Sequence, residues 1–178
     1  MNDTQFAEII YATLEDSMIN GGFQVDVAQL SQPTQQGVNW TPQLFYQVIS
    51  DIPYGWSSPT LVFDDNLDLF KNKEVQIYIA TVRVSALSIE DPKQPSLPTA
   101  KDLVNYAKMY ITHRAIQSQL KAKGVSPLRA SQVMNNNIVD DREQFEFNPY
   151  FEIQFVYNRS IELTTPVIKD AEGSITGI

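Results

Sequence analysis

Residues Phe6, Ile9, Ile10, Thr13 and Leu14 fall at the i, i+3, i+4 spacing of one helix face. Asp3 or Thr4 is placed to cap that helix, which runs to about Met18, and Gly21-Gly22 ends it. A second helical pattern spans Thr99 to Lys123. Thr99-Ala-Lys-Asp102 has the form of a capping box, Pro98 stands just outside it, and Gly124 suits the left-handed residue past a helix end. As one helix it would be roughly 36 Å long. One stripe of it holds Leu103, Val104, Ala107, Tyr110, Ile111, Ala115 and Ala122. A second stripe holds Tyr106, Met109, His113, Ile116 and Leu120. Two apolar stripes leave two readings open: a helix buried between two layers, or one face on the core and one on a neighbouring subunit.

The remaining pattern is extended. Phe23 to Leu30 alternates weakly, and Leu44 to Ile49 is rich in β-favouring residues. Ser31 to Pro42 and Asp51 to Pro59 carry Pro and Gly and are predicted as loops. Tyr54 and Trp56 are loop anchors on the core or partner contacts, and Trp40 is a further candidate partner contact. Val75 to Ile89 is the strongest strand signal. Its apolar phase changes between Ile79 and Val82, which predicts a β-bulge, a strong bend or a strand covered on both faces. Glu90 to Pro98 is a stiff, Pro-rich connection.

Beyond the long helix, Leu128 to Met134 is predicted as a strand and Asn135 to Asn137 as a turn. Ile138 to Arg142 is a short strand or loop. Tyr150 to Leu163 is a half-buried antiparallel strand, with a break near Asn158. The order predicts an α+β fold: an antiparallel or mixed β-sheet packed by one long and one shorter helix. Residues 1–166 form one domain, and 167–178 a C-terminal arm that is mobile or orders on a partner.

Composition narrows the chemistry. The 178 residues are 43% hydrophobic, enough for a sizeable core, and contain no cysteine, hence no disulfide or thiolate-bound metal. No apolar run approaches the roughly 20 residues that span a bilayer, and the first residues do not read as a signal peptide. Asn2, Asn39 and Asn158 head Asn-x-Ser/Thr triplets that read as chance without secretion. The net charge of −8 argues against a phosphate-gripping surface, and the basic residues are scattered along the chain with no basic–aromatic stripe.

Candidate catalytic groups are few. His113 is the single histidine, and on a helix stripe it reads as packing or interface. No phosphate-binding glycine loop occurs. Asp64-Asp-Asn-Leu-Asp68 imitates the start of a calcium loop, but Leu69 and Val75 stand where Gly and Glu are needed, so it reads as a solvated acidic loop. Glu90-Asp91 and Asp140-Asp141 read as solvated turns. No cofactor, metal or catalytic residue is assigned, and an assembly protein is expected rather than an enzyme.

From Val75 onward the pattern resembles the tail terminator (neck) proteins of tailed bacteriophages. The resemblance rests on the strand Val75-Gln-Ile-Tyr-Ile-Ala-Thr-Val-Arg-Val-Ser85, the helix from Thr99 to Lys123, and the strand and turn from Leu128 to Asn137. A final pair follows, Asp141-Arg-Glu-Gln-Phe-Glu-Phe147 and Tyr150-Phe-Glu-Ile-Gln-Phe-Val-Tyr157. The N-terminal helix from Thr4 to Met18 also fits. Order, length and texture carry the likeness over about three quarters of the chain, without a single diagnostic motif.

The resemblance implies a virion protein, assembled in the bacterial host cytoplasm. It would form a usually hexameric ring that caps the tail tube, stops its polymerisation and meets the head connector or stopper protein. DNA would pass through the lumen, with no membrane involved. Six copies at −8 would carry −48, a charge that keeps DNA from sticking. On that reading Tyr106, Met109, His113, Ile116 and Leu120 are the subunit contact, and Asp140, Asp141 and Glu143 face the lumen. The alternatives are another phage assembly part, such as a stopper, tube or baseplate protein, or else a small ligand-binding module or enzyme. A tube protein would need a more continuous run of strands than the pattern predicts.

Overall fold

Three strands much longer than the pattern suggests dominate the structure, a computed structural model that describes residues 1–30, 41–64, 69–88, 97–139 and 145–166. The elements run α1 (Asp3–Asn20), β1 (Asp26–Gln29), β2 (Gln43–Asp64), β3 (Leu69–Leu87), α2 (Ala100–Thr112), α3 (Arg114–Ala122), β4 (Val125–Ala130), β5 (Met134–Val139) and β6 (Phe145–Pro166). They make an α+β fold. One sheet has the order β1-β2-β3-β6-β4, with β5 also on β6. β1 runs parallel to β2 and every other pairing is antiparallel, so the sheet is mixed.

The helices cover one face of this sheet. Phe6, Ile10, Leu14 and Met18 of α1 and Leu103, Val104, Ala107 and Ile111 of α2 are each at most 2% exposed. They pack on Val82 and Val84 of β3 and on Phe151, Ile153 and Phe155 of β6. Burying each large side chain contributes about 1.5–3 kcal/mol. α1 is capped by Asn2, one residue before the predicted cap. Gln5 N donates to Asn2 Oδ1 at 2.8 Å and Asn2 N to Gln5 Oε1 at 3.0 Å, a reciprocal box that neither Asp3 nor Thr4 can make with a residue three positions on. At the other end, a side chain on Gly21 would meet the Phe23 ring at 2.5 Å and Tyr106 at 2.9 Å, so glycine is required there.

The predicted single helix from Thr99 to Lys123 is two helices. His113 is extended (φ −67°, ψ 134°); it closes α2 and caps α3, with Ala115 N donating to its Nδ1 at 3.4 Å. Core packing gives the reason. Leu120 follows Ile111 by nine residues, which on a straight helix places it about 180° round the axis from the buried stripe. The bend returns Leu120 to the core at 2% exposure and leaves Ala115 and Ala122 outside.

Four further expectations are corrected. Asp51 to Pro59 is part of β2, not a loop. Beyond Tyr46 no described strand flanks β2, so Pro53 and Pro59 can turn their missing N–H off the sheet. Gly55 (φ +74°) and its neighbours are absorbed in a bulge between Tyr54 and Ser58. Of the bulge, bend or two-sided cover expected in β3, the bulge is absent: β3 pairs with β6 from Leu69↔Pro166 to Ser85↔Tyr150 without a shift, and a bulge lies instead in β2, between Val48 and Ser50. Asn135 to Asn137 belong to β5, held by Pro149, Asn148 and Phe147 of β6. β6 itself runs through Asn158 unbroken. In each case pairing with a neighbour overrode local turn propensity. The predicted connection Glu90 to Pro98, most of Ser31 to Pro42, the acidic run after Asp64 and the arm 167–178 lie largely or wholly outside the described residues.

Candidate assembly surface

β2, β3 and β6 outrun the helices. Ala80 is the last fully buried residue of β3 on the way out, and Tyr157 the last of β6. Beyond them the three strands continue as an extension carrying Ile52 to Asp64, Leu69 to Ile79 and Asn158 to Pro166. Nine residues of β6 reach roughly 30 Å at about 3.3 Å per residue.

Alternation gives this extension two different faces. Counting along the pairing, Pro59, Leu61, Ile161 and Leu163 of the outer strands continue the face that the helices cover in the body, with the polar Asn72 and Glu74 of β3 between them. Here no described helix covers it: Leu61 is 64% exposed, Ile161 66% and Leu163 61%. The opposite face carries Thr60, Lys73 and Glu162, with Lys73 Nζ 3.3 Å from Glu162 Oε1. Nearer the body that same face carries a second apolar group, Ile52, Tyr54 and Ile77. At the bulge Trp56 stands 99% exposed. Gln76 holds the bulge in shape, its amide donating to the carbonyls of Tyr54 at 2.9 Å and Gly55 at 3.2 Å.

The base of the extension is tied to the body. The Arg159 guanidinium lies 4.4 Å over the Tyr78 ring and donates to Tyr157 Oη, to Asp51 and to Asp3 of the first turn of α1. Tyr157 in turn donates to Asp51 Oδ2 at 2.7 Å. Burial, with the Asp51 carboxylate accepting its proton, pushes the Tyr157 phenol up to about 12. Phe6 stacks on Tyr157 at 4.7 Å, which docks α1 on the same point.

The predicted site residues are dispersed by the fold. Leu120 is buried in the chain's own core, and Ile116 packs on that core. Tyr106 meets Phe23 edge-on at 5.3 Å. Of that stripe, Met109 (69%) and His113 remain exposed. Tyr54 and Trp56 are exposed but sit on a strand. Trp40, Asp140, Asp141 and Glu143 lie outside the described residues. The sequence reading placed Ile161 and Leu163 in a half-buried alternating strand and did not single out Leu61, which Val62 and Phe63 follow. What the alternation could not show is that the helices stop short of them. Among the described residues no group of three or more His, Asp or Glu is placed to hold a metal ion, and no helix is long and apolar enough to cross a membrane.

Past its own core the sheet thus carries large apolar side chains into solvent on its two outer strands, and larger exposed apolar patches mark interaction sites. The family agrees: residues 5–167 match the model of the E217 gateway protein gp29, and the chain belongs to that family of phage head–tail gateway proteins. It is therefore a neck or connector-type structural component of a phage virion. No curated protein matches the chain.

Proposed function

We propose that the protein forms a ring at the head–tail junction, seated on the end of the tail tube as a terminator is, joining it to the head connector while DNA passes through. The role is structural, with no catalysis. The exposed three-stranded extension carries this reading: the apolar side chains of its outer strands, Leu61, Ile161 and Leu163, are ones that a neighbouring component would cover. The gateway family supports a joining role, and the net charge of −8 suits a channel through which DNA slides. The strands are more continuous than the sequence pattern predicted, which removes one argument against a tube protein; the gateway family is what favours the junction instead.

The test is a phage lacking the protein, examined by electron microscopy. Unjoined full heads beside tails of uncontrolled length are expected. Joining and length control should return with the wild-type chain but not with Leu61→Ser/Leu163→Ser. Joined particles with normal tails in its absence would overturn the proposal.

A further inference from the structure

Charge is segregated along this chain and then again in space. Residues 1–30 contain five acidic side chains, Asp3, Glu8, Glu15, Asp16 and Asp26, and no Lys or Arg. Residues 103–139 contain five basic ones, Lys108, Arg114, Lys121, Lys123 and Arg129, and no Asp or Glu. The sheet order puts β1 at one edge and β4 at the other. α1 runs across the sheet: its first turns meet β6, with Phe6 stacked on Tyr157 and Asp3 on Arg159, and its far end reaches β1, while α3 packs beside β4. Beyond Asp3, which is spent on Arg159, the acids Glu8, Glu15 and Asp16 follow α1 towards the β1 edge and Asp26 as an acidic flank, and the bases of α3 and β4 lie towards the opposite edge as a basic flank.

The basic flank is not neutralised from within. Arg114, Lys121, Lys123 and Arg129 are exposed, and none takes part in an ion pair among the described residues. On the acidic flank Glu8, Glu15, Asp16 and Asp26 are also exposed and also without an ion pair there. Each side also offers an apolar knob, Ile19 at 68% exposure beside the acids and Met109 at 69% beside the bases.

We infer that the basic flank of one copy docks on the acidic flank of the next, head to tail, to close the ring. This rests on the ring reading above. Two different complementary patches on one chain make a heterologous contact, the kind that generates a cyclic assembly. A twofold dimer through either patch would set like charges face to face. Exposed ion pairs contribute little singly. The charges accordingly set register and encounter rate, and the apolar knobs and extension supply most of the affinity. Screening should therefore weaken the contact as the Debye length falls from about 10 Å at 0.1 M salt to about 3 Å at 1 M.

The test is native mass spectrometry with sedimentation of the purified full chain at low and high salt. The wild type should assemble at low salt and weaken at least tenfold at high salt. Lys121→Glu/Lys123→Glu should lose assembly at wild-type concentrations, and adding Glu8→Lys/Glu15→Lys to that variant should restore it. Circular dichroism reports whether each variant folds; if charge reversal at the end of α3 unfolds the chain, Lys121→Gln/Lys123→Gln should still weaken assembly several-fold. Three results would each overturn the inference: a wild type that stays monomeric at low salt, a basic-flank variant that assembles normally, or a loss that the reciprocal swap does not repair. Localisation separates this from the reading beneath it. A protein found at the junction of particles whose flank variants assemble normally loses the inference and keeps the function, whereas absence from the junction removes the function itself.

Discussion

Arg159 of β6 and Asp51 of β2 form an ion pair that spans Tyr78 of β3 where the sheet leaves the core. The two side chains are 29% and 23% exposed, so the pair is partly shielded from water. It joins the two outer strands of the extension to each other and, through Asp3, to α1. The extension thus starts from a fixed base.

Removing one partner should cost more than removing both. Arg159→Met leaves Asp51 without its cation, and Asp51 Oδ1 is already buried without a hydrogen bond. Loss of hydrogen bonds to a charged group predicts a fall in stability of about 2–3 kcal/mol. The double variant Arg159→Met/Asp51→Leu should recover part of that loss. Urea unfolding of the wild type and the two variants measures the difference.

Alkaline pH should weaken the same base. The Tyr157 phenol is raised from its ordinary 10.0 to about 12, so the folded state holds its proton more tightly than the unfolded chain. Its contribution is complete below pH 10.0 and declines as pH rises towards about 12. One tyrosine should titrate late in the tyrosinate absorbance, and Tyr157→Phe should remove that late step and flatten the decline in stability.

Two residues of one predicted stripe should behave oppositely. Leu120→Ala deletes a fully buried side chain and should cost about 2–5 kcal/mol. Met109→Ala is a surface change and should stay within about 0.5 kcal/mol. Thermal melts of the monomeric chain distinguish them; equal effects would mean that the bend at His113 is absent in solution.

Trp56 should report assembly. The chain has two tryptophans, so Trp40→Phe leaves Trp56 as the only indole. At 99% exposure its emission should be that of solvated indole in the monomer and should move to shorter wavelength when the extension is covered. Unchanged emission in assembled particles would show that the bulge stays in water.

The α+β class, the end of α1, the start of α2 and the middles of the main strands were legible in the sequence, because caps, breakers and periodicity act within a few residues. The Thr99 capping box is one case, with Asp102 N donating to Thr99 Oγ1 at 3.2 Å. The turn at Gly21-Gly22 is another. What only the tertiary structure decided depends on distant partners. The bend at His113 exists because the core needs Leu120 on the same side as Ile111. Pro53, Gly55 and Pro59 lie in a strand because β3 offers a template along their whole length. The apolar extension follows from where the helices end relative to the sheet, and the two charged flanks follow from the sheet order, which puts segments about a hundred residues apart in sequence at opposite edges. Local chemistry chose the elements, and long-range pairing decided which of their side chains were left for other chains to meet.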